Sequence, residues 1–382
     1  MKKYLFIQFI AISSFGLLNA QYTSIPDPQF EQLLENMGVG DDIPGNGLVL
    51  TERIDTVTVL DANLRYINDF TGIEDFSSLV FFNASMNPFS EIDLSHNTNL
   101  ELLGLAYLNH LTSVDLSNLT KLRHLTTYRS FVLSEITLGY KPNLEILEAH
   151  EVGVLTSIDL SQCPALVELF LSENSLSSLD ITQNENLEWL RIDDNNLSEL
   201  DTSGNPNLEI LDSGHNPITH YDFTQNPMLR YFSEGHNQAL TYIDLRNGNN
   251  ENIDSFYATL CDNLKCIYVD DASAPFLENW HVGPQAHFVN NEEECDALGT
   301  DELFARKLMI YPNPAKNRLT VLSGDLKIDE IRLTDVSGKI VKIEKPTDSE
   351  FNIDLSGLPS GIYFVTAYSG KTKFRTEKII KN

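Results

Sequence analysis

One constellation in the chain has the residue types of a metal site. Asp194, His215 and His236 recur at steps of 21 residues, with Asp193 beside the first. Imidazole and carboxylate together suit zinc, so stacking these positions across neighbouring coils would bring three ligands toward one ion. A polar exposed row that happens to contain histidines has the same appearance. We therefore read no metal and no cofactor here, and keep Asp194, His215 and His236 as the residues that would build such a site. Nucleophilic and phosphate chemistry find less support, because the chain has no G-x-S-x-G, H-E-x-x-H, P-loop or C-x-x-C motif. The reading is non-catalytic. The alternatives are a metal-dependent enzyme using the Asp/His cluster and a purely structural surface-layer component.

The histidines belong to a longer row of variable residues, Met86, Tyr107, Arg129, Glu151, Glu173, Asp194, His215 and His236. A second row reads Phe81, Leu102, His124, Ile146, Glu168, Trp189, Ile210 and Tyr231, in which seven of eight are bulky apolar, aromatic or His residues. If this row is exposed, its composition is that of a gripping surface, since aromatic anchors are enriched where partners are held. The expected binding residues are Phe81, Leu102, His124, Ile146, Trp189, Ile210 and Tyr231, facing a protein or glycan ligand. Should the other half of each repeat face the concave side, the same row would be partly packed.

The elements that must carry these rows are repeats. Leu166, Leu169, Leu171 and Asn174 return as Leu187, Leu190, Ile192 and Asn195. The Asp after an apolar residue, at 93, 115, 159, 180, 201, 222 and 244 with Thr137 in the missing place, steps by 21 or 22 throughout. L-x-x-L-x-L-x-x-N at this period, sustained from about residue 54 to 270, resembles the leucine-rich repeat family. Leu187 to Asn195 is followed by Leu197-x-x-Leu200 to Asn205, which resembles the nested subclass of 10- and 11-residue half-units. Alternation makes each half-unit a short strand stacked on its neighbour. Asn87, Asn174, Asn195, Asn216 and Asn237 form one inward amide ladder, and Asn97, Asn184, Asn205 and Asn226 the other.

The expected fold is a β-rich leucine-rich repeat solenoid with a short N-terminal helical cap, followed by a small all-β, Ig-like sandwich. Residues 1–20 read as a signal peptide, with Lys2 and Lys3 ahead of the apolar Tyr4–Leu18 and a cut near Ala20. Residues 21–76 read as the cap and entry repeat, 77–270 as leucine-rich repeats, 271–300 as a second cap and linker, and 301–382 as the C-terminal domain. No later stretch has the roughly 20 apolar residues of a membrane span. Residues 21–300 hold 10 Lys+Arg against 44 Asp+Glu, a net of −34, whereas 301–382 hold 14 against 11, a net of +3. That acidity argues against nucleic acid and anionic membranes as partners. Cys163 and Cys261 fall in the ladder and read as buried thiols. Cys266 and Cys295 fall in the second cap of an exported protein, where a disulfide is expected between them.

The tail carries Tyr311-Pro-Asn-Pro314, Asp335-Val-Ser-Gly338, Leu358-Pro-Ser-Gly-Ile-Tyr363 and a closing Lys378–Lys381. In this order at the extreme C-terminus they resemble the type A sorting domain of the type IX secretion system of Bacteroidota. The resemblance implies a partnership of residues 301–382 with that machinery. It also implies passage through the outer membrane, removal of the domain near Leu298–Lys307, and attachment to the cell surface or release.

Overall fold

The computed structural model describes residues 20–298, 309–323, 328–346, 348–369 and 372–382. The expected signal peptide therefore lies, but for Ala20, outside the described residues, and so does the expected cut region beyond Leu298. The chain divides into two compact units, residues 1–286 and 287–382. No helix among the described residues is long and apolar enough to cross a membrane.

The first unit opens on a cap. Pro28–Asn36 is helical because Pro28 sits at its first turn and Asp27 caps it, Oδ1 accepting from the Gln29 and Phe30 amides at 2.8 and 3.0 Å. The other Asp27 oxygen accepts the Asn68 amide at 2.8 Å, tying the helix to the first coil. Its buried Phe30 meets Phe70 edge-on at 5.1 Å and Phe76 at 6.0 Å, which seals the apolar end of the stack.

Beyond the cap the L-x-x-L-x-L half of every repeat contributes a strand to one continuous, 11-stranded parallel sheet, from Val59–Asp61 to His281–Val282. The middle residue of each three-residue strand of this sheet points inward and is buried, as at Leu147, Leu169, Leu190 and Leu211. Each such Leu stabilises by about 1.5–3 kcal/mol relative to exposure. The other half-unit pairs only in patches. Ser113–Asp115 joins Glu135–Thr137, and His220–Asp222 joins Tyr242–Asp244 and then Cys266–Tyr268. Between these patches its backbone runs through turns, so the second face is a series of loops and short strands.

Both amide ladders form. Asn195 Nδ2 donates to the Leu171 and Ile192 carbonyls at 2.9 and 3.0 Å, and Asn216 Nδ2 to those of Ile192 and Ser213, both at 2.9 Å. Asn205 and Asn226 repeat the arrangement in the second ladder. Lys141 occupies a place in that second ladder, fully buried, its Nζ donating to the Leu116 carbonyl at 2.8 Å and to that of Leu138. Burial lowers its pKa. Cys163 and Cys261 are free and buried, and burial pushes both thiols up to about 11, so neither is a thiolate nucleophile. Cys266 and Cys295 are disulfide-bonded, as their place in the cap leads one to expect.

The second unit contains two antiparallel sheets. Met309–Tyr311, Arg318–Leu322 and Glu350–Asp354 form one, and Ile340–Glu344, Glu330–Asp335, Gly361–Ser369 and Thr372–Lys381 the other. A shared core includes Leu319, Val321, Leu333, Ile353, Val365 and Ile379. Asn313 donates to the Lys378 carbonyl at 2.8 Å and accepts the Ile380 amide at 2.9 Å, which clamps the last strand. Asp335 Oδ1 accepts from the Ser337 and Lys339 amides, closing a turn in which Gly338 has φ +81°. These contacts give the turn residues of Tyr311–Pro314 and Asp335–Gly338 their structural purpose.

Candidate recognition face

The strand register places Phe81, Leu102, His124, Ile146, Glu168, Trp189, Ile210 and Tyr231 directly opposite one another across consecutive strands. They form one outward row, continued by the exposed Val59 at one end and Ser255 at the other. Leu102 and Trp189 are 38% and 37% exposed, and the rest are half-buried. The side chains thus lean on their neighbours. Trp189 meets Phe170 edge-on at 5.1 Å, and His124 Nε2 lies 3.6 Å from Glu148. The bond with His124 holds the Glu148 carboxyl below its ordinary range.

A second outward row, not singled out in the sequence, runs parallel to the first two residues further on. It reads Asn83, Gly104, Thr126, Glu148, Phe170, Arg191 and Asp212 in the central strands. Beside it Tyr107 meets Tyr128 edge-on at 5.4 Å, and Tyr128 stacks on His150 at 4.9 Å with only 4° between the rings. Burial lowers the His150 pKa, which favours the neutral ring in this stack. The same 21/22-residue period, carried on by two or four positions from the first row, would have revealed these residues. Arg191 lies 3.9 Å from Asp193 and 3.7 Å from Asp212, and burial with the neighbouring Asp193 raises the Asp212 pKa.

The row containing the metal candidates is placed differently from expectation. Met86, Tyr107, Arg129, Glu151, Glu173, Asp194, His215 and His236 lie outside the strands, each in the left-handed region with φ between +53° and +59°. They form the turn that lets the following ladder residue point inward. Asp194 and His215 approach to 3.8 Å, and the His215 and His236 rings stack 4.5 Å apart at 12°. Lone pairs of near-parallel rings lie in separate planes and do not converge on one ion at the 2.0–2.1 Å that zinc requires. No group of three or more His, Cys, Asp and Glu side chains among the described residues is placed to hold a metal. Asp194 and His215 are a surface contact pair, and His215 and His236 a ring stack.

Under the sheet lies a buried polar trio that the sequence reading missed. Glu234, 1% exposed, accepts at Oε2 from the Tyr221 hydroxyl at 2.5 Å and the Ser213 hydroxyl at 2.8 Å, while its Oε1 has no hydrogen-bond partner among the described residues. Burial pushes its pKa up to about 7. It occupies an inward position, flanked by the buried Ser213 and Ala258 of the adjacent coils, so it has no route to an external substrate.

With this geometry in hand, comparison with known proteins decides the identity of the tail. Residues 309–382 match the family described as the secretion system C-terminal sorting domain. The tail is a sorting domain. Its own fold is the pair of antiparallel sheets above, and the type IX sorting tail expected from Tyr311–Pro314 through Lys378–Lys381 is present. Among solved structures, the chain is similar to the functional domain of InlJ from Listeria monocytogenes, at 17% identity over 95% of this chain and 99% of that one, with TM-score 0.31. It is similar to internalin C2 of the same organism, at 17% identity over 71% and 98%, with TM-score 0.42. It is also similar to the leucine-rich repeat protein LIC12759 of Leptospira interrogans, at 16% identity over 64% and 94%, with TM-score 0.28. No curated protein matches the chain.

Proposed function

We propose that this is a non-catalytic recognition protein, exported by the type IX system and attached to the outer-membrane surface or released there. It holds a protein or glycan on the continuous sheet face. The observation that carries the reading is the row from Phe81 to Tyr231, in which strand pairing sets bulky, half-exposed side chains side by side about 4.8 Å apart. A rigid row of this kind presents apolar and aromatic area with little ordering left to do on binding. The acidic balance of residues 21–300 argues against a nucleic acid ligand. The test is an array of immobilised glycans and extracellular matrix proteins probed with labelled protein. Trp189→Ala with Tyr231→Ala should lower the signal at least ten-fold while the melting temperature stays within about 2 °C. Undiminished binding by the folded double variant would exclude the row as the site.

A further inference from the structure

The sheet face has one hollow whose lining differs in kind from its surroundings. In the second outward row every central strand carries a side chain except at Gly104, and Ala106 two residues later is also small. The Gly104 backbone does not require glycine, because it is an ordinary strand residue outside the left-handed region. What the glycine supplies is space. A Cβ there would meet Asn83 Oδ1 at 2.7 Å and Ser85 Oγ at 3.3 Å. The result is a cavity of about 280 Å³ floored by Gly104.

Its walls are of two kinds. Phe81, Leu102, Met86, Tyr107 and Tyr128 give apolar and aromatic surface. Asn63, Asn83, His124 and Thr126 give neutral polar atoms on the same rim. Asn83 Nδ2 makes no hydrogen bond among the described residues, and Asn83 Oδ1 accepts only the Ser85 amide at 3.2 Å there. No carboxylate, lysine or arginine lines the hollow, in a chain of formal net charge −29. The neighbouring cavity, about 310 Å³, is by contrast lined by Glu148, Glu151, Glu173, Asp193 and Arg191. A cationic side chain would be drawn to that second cavity, where the carboxylates are. Arg129, whose guanidinium sits over the Tyr107 ring at 5.6 Å, is itself paired to Glu151 at 2.7 Å, which leaves little pull on an anionic ligand.

The remaining chemistry is an uncharged ring with one apolar side and hydroxyls at its edge. We propose that the hollow over Gly104 binds one neutral pyranose residue of a glycan, its C–H face against Tyr107 and Tyr128 and its hydroxyls toward Asn83, Asn63 and Thr126. The size fits a single ring, being at the small end of ligand cavities. This assignment rests on the recognition role of the sheet face and narrows it to a ligand class and a subsite.

The test is saturation-transfer NMR on the full chain with the methyl glycosides of glucose, galactose, mannose and N-acetylglucosamine, with methyl glucuronide and arginine as charged controls. At least one neutral glycoside should receive saturation and neither control should. Gly104→Leu, which fills the hollow, should weaken that contact at least ten-fold. Tyr107→Ala with Tyr128→Ala, which removes the walls without crowding the sheet, should do the same with the circular dichroism spectrum unchanged. Silence from all four neutral glycosides overturns the assignment, as does undiminished transfer in the folded double variant. If the glycosides are silent while Trp189→Ala with Tyr231→Ala still weakens an array ligand, recognition by the face stands and the sugar subsite alone falls. Silence in both experiments removes both.

Discussion

The two faces of the solenoid are built from the same repeat and yet use their outward residues in opposite ways. On the second face the residue types recur from coil to coil. Asp180 Oδ1 accepts the Thr182 amide at 3.0 Å, Asp201 that of Ser203 at 2.9 Å, and Asp222 that of Thr224 at 3.0 Å. Each carboxylate closes its own turn, because the backbone there lacks strand partners over much of its length. On the continuous sheet face neighbouring strands already satisfy the backbone, so Leu102, His124, Ile146, Glu168 and Trp189 follow one another without a shared type. Repetition of an outward residue therefore marks a structural debt, and its variation marks surface free to be selected for a ligand. The hydrogen bonds at Asp180 and Asp201, to the following hydroxyl residue and its amide, also hold those carboxyls below their ordinary range.

The largest expected departure from this division lies under the sheet face, where a polar trio replaces apolar packing. Glu234 has an ordinary pKa of 4.5 and a folded value of about 7. The folded state keeps its proton while the unfolded chain loses it, so stability is fully present below pH 4.5 and declines as pH rises to about 7. The decline is about 3 kcal/mol, from roughly 1.4 kcal/mol for each pH unit of that window. Glu234→Gln should flatten the profile and leave the variant more stable than the parent at pH 8. Chemical denaturation at pH 4.5, 6 and 8 measures it, and an unchanged slope in the variant would assign the effect elsewhere.

Next in size is the inward ladder. Asn195→Ala leaves the Leu171 and Ile192 carbonyls buried without their donor, which should cost about 1–3 kcal/mol. A loss below about 0.5 kcal/mol in urea melts would mean that water replaces the amide and that the ladder is not the scaffold. The smallest effect concerns the left-handed row. Glu173, exposed and at φ +54°, carries a Cβ in a region that favours glycine. Relief of roughly 1–2 kcal/mol of strain, set against about 0.5–1 kcal/mol of added unfolded-state entropy, should make Glu173→Gly more stable by about 0.5 kcal/mol. A fall in melting temperature would show that the turn does not strain its residue.

Much of the scaffold was legible because it rests on period. Inward Leu and Asn positions follow from spacing alone, and the row from Phe81 to Tyr231 is found in strand register as the spacing required. What the period could not show is conformation within a coil. Asp194, His215 and His236 look like a strand column in sequence, and only the backbone reveals them as left-handed turn residues outside the strands. Lys141 and Glu234 were equally illegible, since each stands at a position whose pattern calls for another residue and is held there by partners in its own and the adjacent coil. Gly104 reads as a break in the pattern, and its meaning depends on Tyr107, Tyr128 and Asn83 being set around it.

The division of labour between the faces is tested most directly by two double variants measured side by side for melting temperature and for array binding. Trp189→Ala with Tyr231→Ala changes the sheet face, and Asp201→Ala with Asp222→Ala changes the second face. Each aspartate removed loses its turn hydrogen bond, at about 0.5–1.5 kcal/mol. The account predicts a crossed result: the first pair loses at least ten-fold in binding and keeps its melting temperature, and the second keeps its binding and melts several degrees lower. Loss of both properties in both variants, or loss of binding in the second pair alone, would contradict it.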